Sequence, residues 1–370
     1  MTISINYVSK IAVYKDVWDD FLPETHHLKQ RHLLAFENAQ IPDIENYYLQ
    51  IFLKNKLVGL AYLQSFKFSH AHLNFSSPES LQSKLIRFFL PKALNLLVCG
   101  NLFRINFQGF YFKNEQHDPF IFDAINLFLQ QNRHLKPAGI IIKDCEAVFP
   151  DEKYTAAKYR FFTGDVTMEI TRQQQWNCFD DYLKDLSKKY LKRAKKIIQA
   201  FAGLTTKELN AEEILENSAD IDRLYWNVIN KQKVRLGIIN AAYLYELKMD
   251  LDQRFELHAI YANDIMIGFY TYIFYSNEME THYIGLDYVY NDTHKTYFNI
   301  LFLSVQKMIE GRYEKLELGR TAKEAKANLG ALPKQIFNYV KVKNPVAKIA
   351  VGYFLKRFNQ SENQIGRAHV

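Results

Sequence analysis

The chain has 370 residues, 48% of them hydrophobic and 24% charged, and carries a formal net charge of +7. That length passes the size at which one hydrophobic core stops growing, so two domains are expected, and the composition excludes a disordered or collagen-like chain. Three cysteines, Cys99, Cys145 and Cys178, make an odd count without paired metal spacing. They read as reduced core thiols of a cytoplasmic protein, and no metal site is expected. The first 21 residues contain Asp16, Asp19 and Asp20 and no unbroken apolar core, which excludes a signal peptide. No stretch approaches the roughly 20 apolar residues that span a bilayer. A surplus of positive charge this moderate matters only through its location, and nothing in it points to DNA.

In chain order, Val8–Glu37 reads as helical turns around Trp18 and Phe21, stopped by Pro42. Tyr47–Leu53, the turn Lys54–Lys56 and Leu57–Leu63 form a hairpin by their β-formers and length. Leu81–Val98 is expected to be a helix broken at Pro91, followed by a strand pair through Phe107 and Gly109–Phe112. Phe120–Gln131 reads as a helix, Ala138–Ile142 as a strand and Thr163–Ile170 as another. Nothing in this half resembles a catalytic constellation. Arg172–Gln175 is a polar joint.

Trp176–Phe201 is expected to be one long helix. Phe179, Tyr182, Leu183, Leu186, Tyr190, Ala194, Ile197 and Phe201 recur at steps of three or four, while Lys184, Lys188, Lys192 and Lys195 project from the opposite face. Asp220–Met249 follows as one or two helices split near Gly237. Phe255–Tyr261 and Ile265–Tyr272 then repeat the earlier hairpin, with Gly268 where the first has Gly59, and an internal duplication explains the recurrence.

The stretch Thr281–Pro333 carries the functional signal. Thr281–Tyr288 is a strand interrupted by Gly285, which predicts a bulge or a close backbone approach by a ligand. Asn291–Thr296 is a polar cluster that reads as a loop, Tyr297–Ile309 a buried helix stopped by Gly311, and Leu316–Leu318 a strand. Gly319, Arg320 and Thr321 turn into a short helix ending at Gly330, and Ile336–Val342 returns as a strand.

This order, with Tyr283–Asp287, Gly319–Thr321, Lys326 and Gly330, resembles the second half of a FemAB-like acyltransferase of the GNAT superfamily. The run Tyr182–Lys195 is similar to the helix that opens the second domain in that family. The resemblance implies an α/β (α+β) fold of two tandem GNAT-like domains, each a mixed central sheet flanked by helices. Residues 1–172 would form an N-terminal, non-catalytic domain and 173–344 the acyltransferase domain. It further implies N-acyl transfer from acyl-coenzyme A or aminoacyl-tRNA to an amine-bearing small molecule or lipid-linked cell-envelope precursor. That activity belongs to peptidoglycan-type biosynthesis in the bacterial cytoplasm, peripheral to the inner membrane. In GNAT enzymes a Gly-x-Gly or Gly-x-Ala loop cradles the donor pyrophosphate; here the corresponding Asn291–Thr296 has no glycine. No long helical-hairpin arm of the tRNA-using type is present, which favours a thioester. The alternative is a catalytically silent binding module for RNA or anionic lipid.

Acyl transfer to an amine needs a neutral amine, donors facing the developing oxyanion and a route for the proton. Backbone amides near Tyr283–Leu286 supply the donors. Tyr283, Gly285 and Asp287 share one strand face, opposite Glu280, His282, Ile284 and Leu286. Asp287 is assigned to the amine, with a strand-end turn acid as the competing account, and Tyr283 or Tyr288 to the proton relay. Arg320, Thr321 and Lys326 are assigned to substrate, Arg320 against an ion pair with Glu317 or Glu324. Lys188, Lys192 and Lys195 suit an anionic partner, the alternative being a solvated face. Val346–Phe358, within a tail of residues 345–364, reads as an amphipathic helix for the second domain or a membrane surface. Residues 365–370 resemble a translated sequencing adapter and are expected to be an artefact.

Overall fold

The computed structural model describes residues 2–69, 72, 93–232, 235 and 238–343. In chain order the first elements are β1 (Ile3–Val8), α1 (Asp16–Phe21), α2 (Gln30–Asn38), β2 (Ile44–Leu53), β3 (Lys56–Phe68), β4 (Leu94–Cys99) and β5 (Phe110–Phe112). Then come α3 (Phe120–Gln131), β6 (Gly139–Cys145), α4 (Asp151–Ala156) and β7 (Arg160–Thr171). They are followed by α5 (Phe179–Asp185), α6 (Lys188–Ala200), β8 (Thr205–Leu209), α7 (Ala211–Glu216), α8 (Ser218–Ile229) and α9 (Ala241–Leu251). The last are β9 (Phe255–Ala262), β10 (Ile265–Phe274), β11 (Glu278–Leu286), α10 (Tyr288–His294), α11 (Thr296–Glu310), β12 (Lys315–Glu317), α12 (Lys323–Ala327) and β13 (Leu332–Val342).

The described residues divide into two compact units, one drawn from residues 2–69, 93–165 and 335–343, the other from 166–232 and 239–334. The sequence boundary at 172/173 counts Ile336–Val342 with the second half, whereas this strand belongs to the first unit. In that unit the strands run β1-β2-β3-β4-β6-β13, with β5 on β3. Alternation along β2 and β3 sends Leu49, Ile51 and Leu63 against α3 residues Ile121, Phe122, Ile125 and Phe128. Tyr48, Leu60 and Tyr62 face the other way, onto Trp18, Phe21 and Leu33.

In the second unit the order is β7-β12-β11-β10-β9-β8, with β7 represented from Val166. Here α5, α6 and α11 bury Tyr182, Leu186, Ala194, Ile197, Ile300, Val305 and Met308 in one core. The same local order recurs in both units: a hairpin, a third strand, a helix and a fourth strand. The third and fourth strands pair in parallel both times, as β4 with β6 and β11 with β12.

Several expectations are corrected. Leu94–Val98 is strand; an apolar run of this length does not separate helix from strand by periodicity. The rest of Leu81–Val98, apart from Ala93, lies outside the described residues, as do Val346–Phe358 and residues 365–370. Trp176–Phe201 keeps its apolar stripe but forms two helices, because buried Leu186 and the following Ser187 are both extended (ψ 138° and 151°). The last turn of α10 occupies most of the expected Asn291–Thr296 loop, and only Lys295, in the left-handed region, separates it from α11. Cys99 and Cys145 are buried, but Cys178 is exposed in front of α5.

Candidate functional site

The second unit's parallel pair opens like a V. β11 matches β12 only at Glu278–Glu280 against Lys315–Glu317, although β11 continues to Leu286. Its β12-facing edge from Thr281 onward therefore has no β12 partner. Among the described residues, charged side chains gather at the mouth of the split.

Glu169 of β7, Glu317 of β12 and Glu280 of β11 stand in one cross-strand row. Like charges in register repel, so such a row needs cations or protons. At one end Lys334 Nζ lies 3.7 Å from Glu169. At the other, His282 Nδ1 lies 2.9 Å from Glu280 Oε1, and the Tyr275 hydroxyl donates to Glu280 Oε2 at 3.4 Å. Tyr243 of α9 reaches His282 Nε2 at 3.3 Å.

Glu317 in the middle is the least compensated. Its Oε1 accepts from the Thr167 hydroxyl and from Gly319 N at 2.7 Å. Its Oε2 is enclosed and meets no donor among the described residues. Burial pushes its carboxyl up to about 7; the Thr167 and Gly319 hydrogen bonds oppose this, while Glu280 and Glu169 add to it. Lys326 of α12 is 3% exposed and donates to Gly319 O at 3.2 Å. Burial pulls its ammonium down to about 7, against the field of Glu317. A buried acid and a buried amine, each shifted toward neutrality by burial, thus flank the Gly319–Thr321 turn.

The structure brings Lys326 and Arg320 to this mouth, Arg320 half-buried and Thr321 exposed at the turn. Asp287 lies at the far end of β11. It caps α10 through Val289 N (3.0 Å) and faces Arg223 Nη1 at 3.6 Å. Tyr288 opens α10 with Lys231 Nζ 3.1 Å from its ring centre, and burial raises its hydroxyl pKa.

The bulge of β11 falls at His282 and Tyr283, which together oppose Thr271. Tyr283 N donates to Thr271 Oγ1 at 2.8 Å, so that amide is filled internally. The bulge also breaks the expected alternation: His282 and Tyr283 both meet the Tyr243 ring. Gly285 itself pairs in register with Phe269. A Cβ there would lie 2.1 Å from the Phe269 ring and 2.8 Å from Leu224 Cβ, so the close approach at Gly285 is made by side chains.

Lys188, Lys192 and Lys195 are exposed on α6, a helix without acids, and form no ion pair among the described residues. Nearby, Asn291 Oδ1 accepts from Tyr297 N at 2.9 Å, capping the first turn of α11 from within the chain. Thr296 at that turn is fully buried and its Oγ1 meets no partner among the described residues. One group, Glu208, Glu256 and His258, brings ligand atoms within 4.8 Å of one another. Lys248 and Lys307 already pair with its two carboxylates, at 3.2 and 2.7 Å. No described helix is long and apolar enough to cross a membrane.

Sequence reasoning misses Glu280, His282 and Tyr243 as site residues and reads Glu317 only as a partner for Arg320. Their row exists through the register of strands far apart in sequence.

The fold is shared with the solved structures of FemX and of a tandem GNAT protein. The crystal structure of FemX matches with a TM-score of 0.50 and 10% identity, covering 86% of this chain and 93% of that one. A tandem GNAT protein from the clavulanic acid biosynthesis pathway matches with a TM-score of 0.51 and 9% identity, over 93% and 99%. No family model and no curated protein matches the chain.

Proposed function

We propose that this chain is an N-acyltransferase that moves an acyl or aminoacyl group from a thioester or aminoacyl-tRNA to an amine on a cell-envelope precursor. The observation that carries the reading is the near-neutral pair Glu317 and Lys326 beside the open β11–β12 split. Attack on a carbonyl requires an amine that has lost its proton, and a buried acid–base pair titrating near 7 can accept it. The edge of β11 that β12 leaves uncovered offers backbone donors for the oxyanion. Arg320 and Thr321 hold the charged part of the substrate beside that pair, while Tyr283, Asp287 and Tyr288, further along β11, line the approach of the amine.

FemX and the tandem GNAT protein support the fold half of this reading. Coenzyme A thioester is the donor proposed first. The α6 lysines Lys188, Lys192 and Lys195 would meet its phosphates, those of a tRNA or an anionic membrane, which would place the protein in the cytoplasm at the inner membrane. The internal cap on Tyr297 N favours the second reading, a silent binding module, because it takes an amide that a donor phosphate would use.

The test is a thermal-shift titration with acetyl-coenzyme A and with bulk aminoacyl-tRNA, each followed by product detection with an amine acceptor. A donor at a hundred times its Kd stabilises the folded chain by about 2.7 kcal/mol. Stabilisation by the thioester and product loss in Arg320→Ala are expected. Salt-steep tRNA binding without a thioester response would replace the donor, and replacing the three lysines by Gln would then flatten the slope by about two to three. Silence in both assays would support the binding module.

A further inference from the structure

The first unit contains a cavity of about 250 Å³ between α2, the starts of β2 and β3's far half, and the loop after β4. Phe36, Glu37, Gln40, Asn46, Gln64 and Phe103 are in its lining. Gln64 is fully buried and spent: its Oε1 accepts from Leu102 N at 2.7 Å, and its Nε2 donates to Tyr62 Oη at 2.8 Å and Asn46 Oδ1 at 3.2 Å. The Tyr62 hydroxyl also donates to Asn46 Oδ1, at 2.7 Å. This locks the Asn46 amide with its oxygen turned to the protein, leaving Nδ2 as the donor it can offer.

Glu37 supplies the one formal charge in the lining. Its Oε1 accepts from Ile11 N at 2.8 Å, and the buried Tyr48 hydroxyl lies beside the same carboxylate, so a ligand would meet the lone pairs that these two leave. No lysine, arginine or histidine is among the described lining residues, and Asp43 and Glu45 flank the lining in sequence. Phe36 and Phe103 stack on each other, 5.4 Å apart at 23°, and give the cavity an aromatic wall. A half-buried carboxylate beside aromatic faces selects a cation, since an ammonium gains from both while an anion gains from neither.

We propose that this cavity binds a small primary amine bearing a carbonyl group, in chemical class an amino-acid amide. The ammonium meets Glu37 and the aromatic wall, and the carbonyl accepts from Asn46 Nδ2. A free carboxylate in the ligand is disfavoured by Glu37 with no cation in the lining to offset it. The site lies within the first unit and does not depend on the acyl-transfer reading of the second.

The test is isothermal titration of the full chain at pH 7 with L-alaninamide, against propionamide, which lacks the ammonium, and L-alanine, which adds a carboxylate. Saturable binding of alaninamide is expected, at least tenfold tighter than either control. Glu37→Gln should weaken it at least tenfold, while the Gln oxygen can still accept from Ile11 N and keep the local fold. No saturable alaninamide binding, equal binding of propionamide, or a Glu37→Gln effect under twofold would overturn the proposal. The comparison with propionamide needs no variant and stands even if Glu37→Gln fails to fold.

Discussion

The two units treat the same place in the fold differently. In the first, β4 pairs with β6 to its last residue, and the space beyond the parallel pair is filled by the chain's own loop. Lys143 Nζ, buried there, donates to Asn101 O at 2.8 Å and Arg104 O at 2.9 Å, and pairs with Asp144 Oδ2 at 2.5 Å. Asp144 in turn accepts from Phe107 N at 3.3 Å, and its own amide donates to Asn338 Oδ1 at 3.0 Å. In the second unit, Lys326 Nζ has one hydrogen bond among the described residues and Glu317 Oε2 has none. A buried charge whose hydrogen-bonding capacity is filled acts as a staple, whereas one left short of partners sits near its titration point and can do chemistry.

The largest effect should come from breaking the staple. Lys143→Ala leaves Asp144 buried without its cation and is expected to cost about 3 to 5 kcal/mol in urea unfolding. A loss below 1 kcal/mol would mean that the cluster is as loose as its counterpart. Next in size, Gly285→Val forces a side chain into the Phe269 ring and Leu224, with an expected loss of about 1 to 3 kcal/mol. An unchanged unfolding midpoint would show that α8 can lift away from β11.

The most telling effect is a dependence on pH. Glu317 titrates near 7 in the fold, above its ordinary 4.5, so the fold binds its proton more tightly than the unfolded chain does. Its stabilising contribution is complete below 4.5 and is lost as pH rises through 7. Glu317→Gln cannot titrate, so its stability relative to the parent should climb between pH 4.5 and 7 and level off above. Lys326 works with the opposite slope: its depressed value makes the fold bind fewer protons between 7 and 10.5, so stability rises across that window. Urea midpoints that track together at every pH in parent and Glu317→Gln would dissolve the contrast between the units.

What the sequence makes legible follows from locality. The two hairpins, with their short turns, and α3, whose apolar residues repeat at helical spacing, are written in neighbouring residues and were expected nearly where they lie. α10 is hidden because its Asn, Asp, Thr and His read as loop, while its start depends on Asp287 turning to cap Val289 N. The break falls at Leu186 and Ser187, both extended, inside a run whose apolar spacing stays helical. Of the candidate site, Arg320 and Lys326 can be picked out from their place after a strand, but the row Glu169, Glu317 and Glu280 depends on register among three strands from distant parts of the chain. Alternation arguments fail at His282 and Tyr283 because a bulge puts both against Tyr243.

The position of β13 has a consequence for how the chain is born. β6, with its run Ile140, Ile141 and Ile142, pairs on one side with β4 and on the other with β13, whose pairing residues begin at Phe337. During synthesis that second side of β6 must wait for nearly two hundred further residues, roughly 10 to 40 s at about 5–20 residues per second. For that interval the nascent first unit presents an apolar strand with an open edge, the kind of surface that other chains and chaperones find first. A gene cut after residue 172 would make the wait permanent.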